Sequence, residues 1–403
     1  MLWVRGVITK RVSATVDRER LIQFALLLIA GCLTTMTGGL VSPVFPEMVQ
    51  ELQLDPRWAG TLVSIHALTS ALATPVMGLL ADRIGKLKVM LPCLLLYAVF
   101  GISTTFLTNF QALVASRALL GIASGGVAAA TIGFLGSMYE GEERSRILGL
   151  ATSAMTTAAI MFPLIGGRVG NVEWRHAYYL YAISIPVAIA SLFMFRNQPK
   201  RTSSLLDTQQ KGDLVNVIRQ PEVLRLYLLI GAAATVVYAI VIYTPLYLKA
   251  AIGADPELNG MILAIRAVGA AMTSALAASW LAKQLGEKRA IALGFSLMAV
   301  TILLIPFLTQ LTFIVPTAIL FGIGFGVVTP NLYNALASQT PAQFRTTVLG
   351  LGTGFNSLGQ FICPLLLGPV WKYGDLTYVF VAATAIAAIA SLLSLTQFQK
   401  PQI

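Results

Sequence analysis

Residues 78–88 read Gly-Leu-Leu-Ala-Asp-Arg-Ile-Gly-Lys-Leu-Lys, a polar stretch that follows one apolar segment and precedes another. The pattern returns half a chain later, because residues 82–85 align without a gap with residues 283–286, Lys-Gln-Leu-Gly. Other matches at this offset of 201 positions pair Gly121, Gly125, Arg144, Gly149, Pro163 and Gly167 with Gly322, Gly326, Arg345, Gly350, Pro364 and Gly368. The chain therefore consists of two equivalent halves. In a membrane, two such halves can expose the cleft between them to either side in turn.

Composition indicates a membrane protein. Hydrophobic residues make up 56% of the chain and charged residues 11%, against roughly 25% charged residues in soluble domains. Apolar segments long enough to cross the hydrocarbon core as helices lie at 21–43, 59–80, 89–108, 112–138, 147–167, 176–195, 224–248, 259–281, 290–309, 312–333, 347–370 and 376–398. Lipid offers no partner to an unpaired backbone group, so the segments must be helices. The sequence predicts an all-α membrane protein with twelve transmembrane helices in two six-helix pseudo-repeats.

The charge distribution predicts the orientation. Twenty-one of the 28 lysines and arginines fall in the N-terminal arm, the even-numbered loops and the C-terminus. The other connections hold only Arg57, Arg168, Arg175, Lys249 and Lys372. By the positive-inside rule, both termini are cytoplasmic and the protein is a multi-pass protein of the plasma (inner) membrane. The predicted parts are a cytoplasmic arm 1–20, an N-terminal bundle 21–196, a cytoplasmic linker 197–222, a C-terminal bundle 223–398 and a cytoplasmic tail 399–403.

Several function classes find little support in the residues. The net charge of +11 follows from the topological bias and favours contact with anionic lipid headgroups, so we expect no nucleic-acid partner. Three cysteines lie in three different apolar segments, and the two histidines, His66 and His176, belong to no metal-binding or nucleophilic pattern. We therefore expect no metal, no catalytic residue and no enzymatic activity. The first 20 residues lack a cleavage site before a short apolar core and predict a permanent arm.

The stretch from Gly78 to Lys88 resembles the signature of the major facilitator superfamily, Gly-x-Leu-Ala-Asp-Arg-x-Gly-Arg/Lys-Arg/Lys, and departs from it at Leu87. Further resemblances are Pro43 and Pro46 at the end of the first segment, Arg117 with Gly121 and Gly125 in the fourth, and Trp174-Arg175 before the sixth. The resemblance covers residues 21–398 and is greatest to the twelve-helix drug:proton antiporter branch. It implies a 6+6 bundle, a central cavity and alternating access. The gating and coupling positions that it carries over are Gly78, Asp82, Arg83, Gly85, Lys86, Lys88, Arg117 and Arg345.

Asp82 is the central residue of the signature. On the family's geometry it faces the start of the eleventh helix, near Arg345. A carboxylate there is favoured by the partial positive charge of a helix N-terminus, and the contact would hold the outward-facing state together. The alternative is that Asp82 and its basic neighbours only anchor a loop to headgroups. The second half has Lys283 in place of the acid, so any such contact is one-sided.

The fifth segment carries part of the antiporter pattern of glycines and proline. Gly149, Pro163, Gly166 and Gly167 match, whereas Ala158 and Phe162 replace two glycines. In the second half, Gly359 stands where Ala158 would be, followed by Pro364 and Gly368. These positions are explained either by a gating hinge or by ordinary packing of small residues. The same two explanations apply to Pro43, Pro46, Gly121 and Gly125.

All 17 acidic residues fall in loops or at segment ends, so the ionisable residues at depth are His66, Arg117 and Arg266. An arginine in mid-membrane costs about 2.5–3.5 kcal/mol on insertion scales and usually faces a cavity or a partner. Arg117 matches a family arginine linked to proton movement, or forms a structural bond to backbone carbonyls. The offset places Arg266 opposite Ile65, next to His66. Predicted cavity residues are His66, Arg117, Tyr238, Tyr243, Arg266, Asn356 and Gln360.

The sequence thus predicts a secondary transporter working by alternating access. Proton-coupled export of a small amphipathic drug or metabolite is the first hypothesis. A carrier of an organic anion, in either direction, is the second, favoured by two arginines and no acid at depth. A membrane enzyme or a non-transporting receptor has no motif in its favour. No nucleotide-binding loop is present, so we expect no cofactor, a proton gradient as driving force, and a monomer whose partners are its small-molecule substrate, protons and lipid.

Overall fold

The computed structural model describes residues 2–139, 141–195 and 214–396, and this part of the chain is helical with no strand. Residues 197–213 of the predicted linker and the whole of the predicted tail 399–403 lie outside the described residues. Residue 196, the last of the predicted N-terminal bundle, also lies outside them. Twelve long helices in the described part are numbered in chain order: α1 Glu19–Glu51, α2 Pro56–Ile84, α3 Lys86–Ser103, α4 Phe110–Met138, α5 Arg146–Gly170, α6 His176–Met194, α7 Pro221–Ile252, α8 Pro256–Leu276, α9 Glu287–Phe307, α10 Leu311–Ser338, α11 Arg345–Tyr373 and α12 Leu376–Leu395.

Eleven of these helices are long and apolar enough to cross a membrane, and α11 is the one that is not. Its 29 residues include many glycines and threonines together with Asn356, Gln360 and Lys372, which lower its mean hydropathy. The helix nevertheless packs against α7 and α2. Its small residues allow these helices to approach closely.

The prediction that Pro43 and Pro46 end the first helix is met in part, because the first helical run ends at Gly39, just before them. The helix only breaks at Leu40, restarts at Val41 and continues to Glu51. The break places Pro43 in the first turn of the new segment, where its missing N–H would have had no helical partner in any case. Gly39 lies beside this break, where a Cβ would stand 3.2 Å from the Cβ of Phe162. The space at Gly39 therefore accommodates the phenylalanine that replaces a glycine of the antiporter pattern.

Capping residues and two special glycines set the helix boundaries. Asp55, Asn109, Asp255 and Asp375 each accept a hydrogen bond from a backbone N–H in the first turn of the helix that follows, which satisfies a donor with no helical partner. Gly85 between α2 and α3 has φ +107°, a conformation that side chains rarely allow. Its counterpart Gly286, with φ +83°, makes the same turn in the second half.

In each half, one glycine allows two helices to approach closely, and the two glycines are counterparts in the repeat. A Cβ on Gly121 of α4 would lie 2.4 Å from the carbonyl oxygen of His66, and a Cβ on Gly322 of α10 would lie 2.2 Å from that of Arg266. The structural counterpart of Arg266 is therefore His66 and not Ile65. The register differs by one residue because helix α8 is interrupted at Ala277, whereas α2 continues without a break from Thr61 to Ile84.

The two halves meet through α5 with α8 and through α2 with α11. A Cβ on Gly167 would lie 2.3 Å from the carbonyl oxygen of Pro256, and a Cβ on Gly260 equally close to that of Pro163. At the second crossing, a Cβ on Gly368 would lie 2.2 Å from the carbonyl oxygen of Arg57. Gly167 and Gly368 are counterparts in the repeat, so the same close approach is used twice.

Candidate functional site

A cavity of about 300 Å³ lies between the two halves. Helices α1, α2 and α5 of the first half and α7, α8 and α11 of the second contribute its wall. The lining residues are Thr34, Thr35, Thr37, Gly38, Gly39, Ser42, His66, Ala159, Pro163, Val237, Tyr238, Val241, Leu263, Arg266 and Gln360. The lining combines apolar side chains with a small number of polar groups, as is usual in ligand pockets.

Four of the seven predicted cavity residues line this space: His66, Tyr238, Arg266 and Gln360. A Cβ on Gly38 would lie 3.1 Å from the Tyr238 hydroxyl oxygen and 3.5 Å from Cε1 of His66. The absence of a side chain at Gly38 therefore leaves room for two polar groups from opposite halves. Asn356 is connected to the cavity indirectly, because its Oδ1 accepts a hydrogen bond of 2.7 Å from Nε2 of Gln360.

Arg117 lies elsewhere, in the interior of the first half. It is 1% exposed, and its Nη1 donates to the Tyr181 hydroxyl at 3.2 Å. Its guanidinium carbon lies 4.6 Å from the ring centre of Tyr178, within the range of a cation–π interaction. Its Nε and Nη2 have no hydrogen-bond partner within the described chain. The prediction that Arg117 lines the cavity is not met in this conformation, because aromatic rings from α6 surround it.

Tyr243 also lies away from the cavity. Its ring packs edge-on against Trp371 with 5.9 Å between centroids. A Cβ on Gly60 would lie 3.6 Å from its hydroxyl oxygen. The residue therefore belongs to the contact between α2, α7 and α11 that seals one end of the cavity.

Sequence reasoning missed the hydroxyl groups of α1. Thr34, Thr35 and Thr37 each donate to a carbonyl oxygen three residues earlier in the helix, and Ser42 donates to the carbonyl oxygen of Val241 in the other half. The available signal was three threonines within four positions of an otherwise apolar segment. Their hydroxyl protons are already bound, so these groups do not serve as free donors to a ligand.

The cavity carries a positive charge. Arg266 keeps its proton under ordinary conditions, and no aspartate or glutamate is among the described residues that line the space. The guanidinium carbon of Arg266 lies 6.0 Å from the ring centre of Phe321, and its Nε has no hydrogen-bond partner among the described residues. An unpaired arginine at a cavity wall attracts acidic or strongly dipolar groups and repels cations.

Three ion pairs join the halves at one end of the cavity, which we call the closed end. Arg168 pairs with Glu257 at 2.8 Å, Lys249 with Glu47 at 2.9 Å and Lys372 with Asp55 at 2.6 Å. All three basic residues belong to the few that the sequence placed outside the cytoplasmic set. They surround the glycine crossings of α5 with α8 and α2 with α11, so the seal combines close backbone packing with charge pairing.

The Trp174-Arg175 pair also lies at the closed end, but within the first half. Trp174 Nε1 donates to one carboxylate oxygen of Glu51 at 2.5 Å, and Arg175 Nη1 donates to the other at 2.6 Å. This contact fixes the end of α1 against the start of α6. It therefore orients Glu47, one turn earlier on α1, toward the second half.

The Asp55–Lys372 ion pair of the closed end is insensitive to pH in the physiological range. The hydrogen bond from the Lys372 ammonium is the main cause that lowers the pKa of Asp55 below its ordinary value of 3.8, with the Arg57 backbone N–H second. A carboxylate with a lowered pKa contributes its stabilisation above the ordinary pKa and loses it only as the pH falls through the lowered one. Between about pH 5 and pH 8 this ion pair is therefore fully formed.

The opposite end carries residues 78–88, and we call it the signature end. A Cβ on Gly149 of α5 or on Gly350 of α11 would meet nothing within 4 Å, although both helices touch the other half at the closed end. Asp82 forms no hydrogen bond or ion pair with any residue whose position is described, and Arg345 Nε donates to the carbonyl oxygen of Ala337 in its own half. The proposed contact of Asp82 with α11 is thus absent in this conformation, in which the halves are apart at the signature end.

The Glu47–Lys249 pair gives a direct prediction for the closed end. Lys249→Glu places two carboxylates side by side, so the ratio of closed to open molecules at this end should fall at least about fivefold. Spin labels at Val172 and Tyr373, which are 84% and 78% exposed, report the distance between the halves in a chain lacking Cys32, Cys93 and Cys363. Adding Glu47→Lys should restore the short distance, and failure of this charge swap would contradict the role given to the pair.

Helices of membrane-spanning length, a pseudo-repeat and a cavity between the halves define a multi-pass membrane transporter. The chain belongs to the Major Facilitator Superfamily, whose family model matches residues 27–255 and 226–402. Its relatives and structural neighbours are transporters and not enzymes.

Two relatives illustrate the range of the similarity. The quinolone resistance protein NorA of Staphylococcus aureus is 25% identical over 339 residues, which is 83% of this chain and 86% of that protein. The tetracycline resistance protein, class B, of Escherichia coli is 25% identical over 398 residues, or 93% and 96% of the two chains. Among solved structures, a bacterial homologue of the human lysosomal transporter Spinster, in an inward-facing and occupied conformation, has a TM-score of 0.76 at 14% identity and covers 93% of this chain and 96% of its own.

Proposed function

We propose that the protein is a proton-coupled secondary transporter that exports small amphipathic molecules by alternating access. The observation that carries this proposal is the asymmetry of the central cavity, which is sealed at the closed end and open at the signature end. A cavity enclosed on one side between two equivalent halves is the arrangement that a rocking motion would expose to the other side. The names of the two resistance proteins similar to this chain support export of drug-like compounds.

In this proposal the twelve long helices cross the membrane as two groups of six, with both termini in the cytoplasm. The distribution of lysine and arginine supports this orientation, and the signature end then faces the cytoplasm. The conformation described above is accordingly inward-facing. Since a single chain supplies both halves, a monomer is sufficient for the cycle.

Coupling to protons is assigned to Asp82, to His66 or to both. His66 is 7% exposed, lines the cavity, and has an Nδ1 without a hydrogen-bond partner. Histidine is the side chain that ordinarily titrates near neutral pH. Asp82 would act differently, through the contact with α11 that forms only when the signature end closes.

The proposal is tested by transport into inverted membrane vesicles with an imposed pH gradient, using cationic, neutral and anionic aromatic compounds in parallel. We expect flux of at least one class that depends on the gradient and disappears with a protonophore. Vesicles prepared from cells that carry the empty vector, used in equal amounts, serve as the control. Flux that is indifferent to the gradient would refute proton coupling, and no flux of any class would refute export of such compounds.

His66→Gln tests the assignment of the proton within that assay. Glutamine keeps a polar side chain of similar size but does not titrate, so the pH dependence of transport should flatten or shift by about one pH unit. His176→Gln is the matched control, because His176 is the other histidine of the chain and lies at the closed end beside Glu173. An unchanged profile in His66→Gln would remove this residue from the coupling pathway.

A further inference from the structure

We propose that the central cavity is an anion site, in which the acidic group of an amphipathic substrate binds Arg266 and Tyr238 while its apolar body lies against α5, α7 and α8. The inference rests on the proposed function and specifies its substrate class. Export of an amphipathic compound leaves the charge of that compound open, and the contacts of Arg266 decide it.

The surroundings of Arg266 direct its charge into the cavity. Arg266 and Leu263 form the wall shared by the central cavity and a second, smaller pocket of about 30 Å³ inside the second half. The second pocket is lined almost entirely by aliphatic side chains together with Phe321 and three threonines. At about 30 Å³ that space is too small for an acidic group of a substrate, so among the spaces lined by described residues it is the central cavity, of about 300 Å³, that lets such a group reach the guanidinium.

The hydrogen-bond inventory of the cavity favours an acceptor as ligand. Arg266 and the Tyr238 hydroxyl form no hydrogen bond with any residue that the structure describes, and both are donors. The hydroxyl groups of α1 donate to backbone carbonyls, and the Gln360 amide donates to Asn356. The lining residues therefore offer free donors but no negatively charged acceptor. A carboxylate or sulfonate complements this arrangement, because charge-assisted bonds to a guanidinium are among the strongest in proteins.

The position of Arg266 also links binding to the transport cycle. Arg266 and His66 occupy equivalent places in the two halves, beneath Gly322 and Gly121. An anion held by Arg266 therefore lies opposite the polar group that the first half contributes at the same depth. A substrate in this place contacts both halves at the point about which they would rotate.

The apolar walls provide for the rest of the substrate. Val237 and Val241 of α7, Leu263 of α8, and Ala159 and Pro163 of α5 line the same cavity. These side chains form no directional bonds with a ligand, so they accept aromatic or aliphatic groups of many shapes. The charge of the head group is therefore the feature on which the site discriminates most sharply.

The test uses three probes with one aromatic body: 1-naphthalenesulfonate, the neutral 1-naphthalenesulfonamide and the permanent cation trimethyl-1-naphthylammonium. Binding to purified protein in a nonionic detergent is measured by calorimetric titration and by the shift in thermal unfolding temperature. A ligand that binds only the folded protein raises this temperature with concentration. We expect the anion to bind at least about tenfold more tightly than the cation, because a fixed positive charge attracts one and repels the other.

Variants assign the effect to named groups. Arg266→Ala should weaken binding of the sulfonate at least about tenfold, and Arg266→Lys should restore part of it, because the charge survives while the two-pronged geometry is lost. Tyr238→Phe should weaken it by a few-fold. Arg289→Ala is the matched control, since it removes an exposed arginine at the signature end and should leave the affinity unchanged.

Stability measured without ligand separates binding from a structural role. Removing an unpaired, largely desolvated guanidinium should leave the unfolding temperature of the free protein unchanged or raise it. A lower unfolding temperature in Arg266→Ala with unchanged affinity per folded molecule would overturn the anion site, as would tight cation binding that ignores both substitutions at 266. Because binding is measured without a gradient, absence of flux would contradict the transport proposal and leave this result standing.

Discussion

Asp82→Asn should reduce transport several-fold, and by up to about thirtyfold, while the protein still folds and inserts. In this conformation Asp82 has no partner within residues 2–139, 141–195 and 214–396, so the substitution removes no contact seen to hold this state together. In the opposite conformation the signature end closes, and the carboxylate would meet the N-terminus of α11. Such contacts with a helix dipole contribute about 0.3–1 kcal/mol, and up to about 2 kcal/mol when partly buried. Loss of this term shifts the equilibrium toward the conformation that is open at the signature end and slows the cycle.

The measurement is flux in vesicles that contain equal amounts of each protein, with the distance between halves at the closed end recorded on the same variants. Glu287→Gln is the matched control. It removes an acidic group at the start of α9, directly after Gly286, which is the repeat counterpart of Gly85 at the signature end. Near-normal flux in Asp82→Asn would show that the residue only anchors a loop.

Gly167→Val should abolish transport by preventing closure of the closed end. A Cβ at this position would lie 2.3 Å from the carbonyl oxygen of Pro256, and backbone atoms of two helices cannot yield as a flexible side chain would. Valine adds two further methyl groups to this overlap. We therefore expect α5 and α8 to separate, the spin-label distance between Val172 and Tyr373 to lengthen, and transport to fall at least about a hundredfold.

The overlap lies at the crossing of α5 and α8 between the halves, so the packing within each half should be retained and this variant should still reach the membrane in normal amounts. Gly149→Val on the same helix is the control for closure, because its Cβ would meet no atom within 4 Å, and its closed-end distance should equal that of the wild type. A short distance in Gly167→Val would mean that the glycine crossing does not hold the halves together.

The Arg117 cluster shows what sequence reasoning could not reach. Sequence reasoning placed Arg117 in the cavity together with Arg266, because the two look alike in sequence as single arginines in apolar helices. The structure separates them, because Tyr178 and Tyr181 of α6 enclose Arg117, whereas Arg266 lines the central cavity and forms no hydrogen bond or ion pair with a residue that the structure describes. Which neighbour a helix face meets depends on the packing of distant segments, and a helical periodicity carries no information about it.

The register of the repeat offers a second example. The gapless offset of 201 predicted that Arg266 and Ile65 are counterparts, which is off by one residue. The interruption at Ala277 absorbs one position in the second half and brings His66 to the place equivalent to Arg266. A one-residue slip rotates a helix face by about 100°, so the pairing of the two polar groups could only be read from the contacts of Gly121 and Gly322.

The sequence alone determined the membrane character, the helical class, the duplication and the family, because each depends on local composition or on a short motif. Segment lengths follow from the thickness of the hydrocarbon core, and the turn at Gly85 follows from a backbone conformation that glycine permits. Only the tertiary structure decided which end is sealed, which arginine reaches the cavity, and how Arg168, Lys249 and Lys372 find their acids. These features depend on groups 89 to 317 residues apart in the chain, which only the packing of the two halves brings into contact.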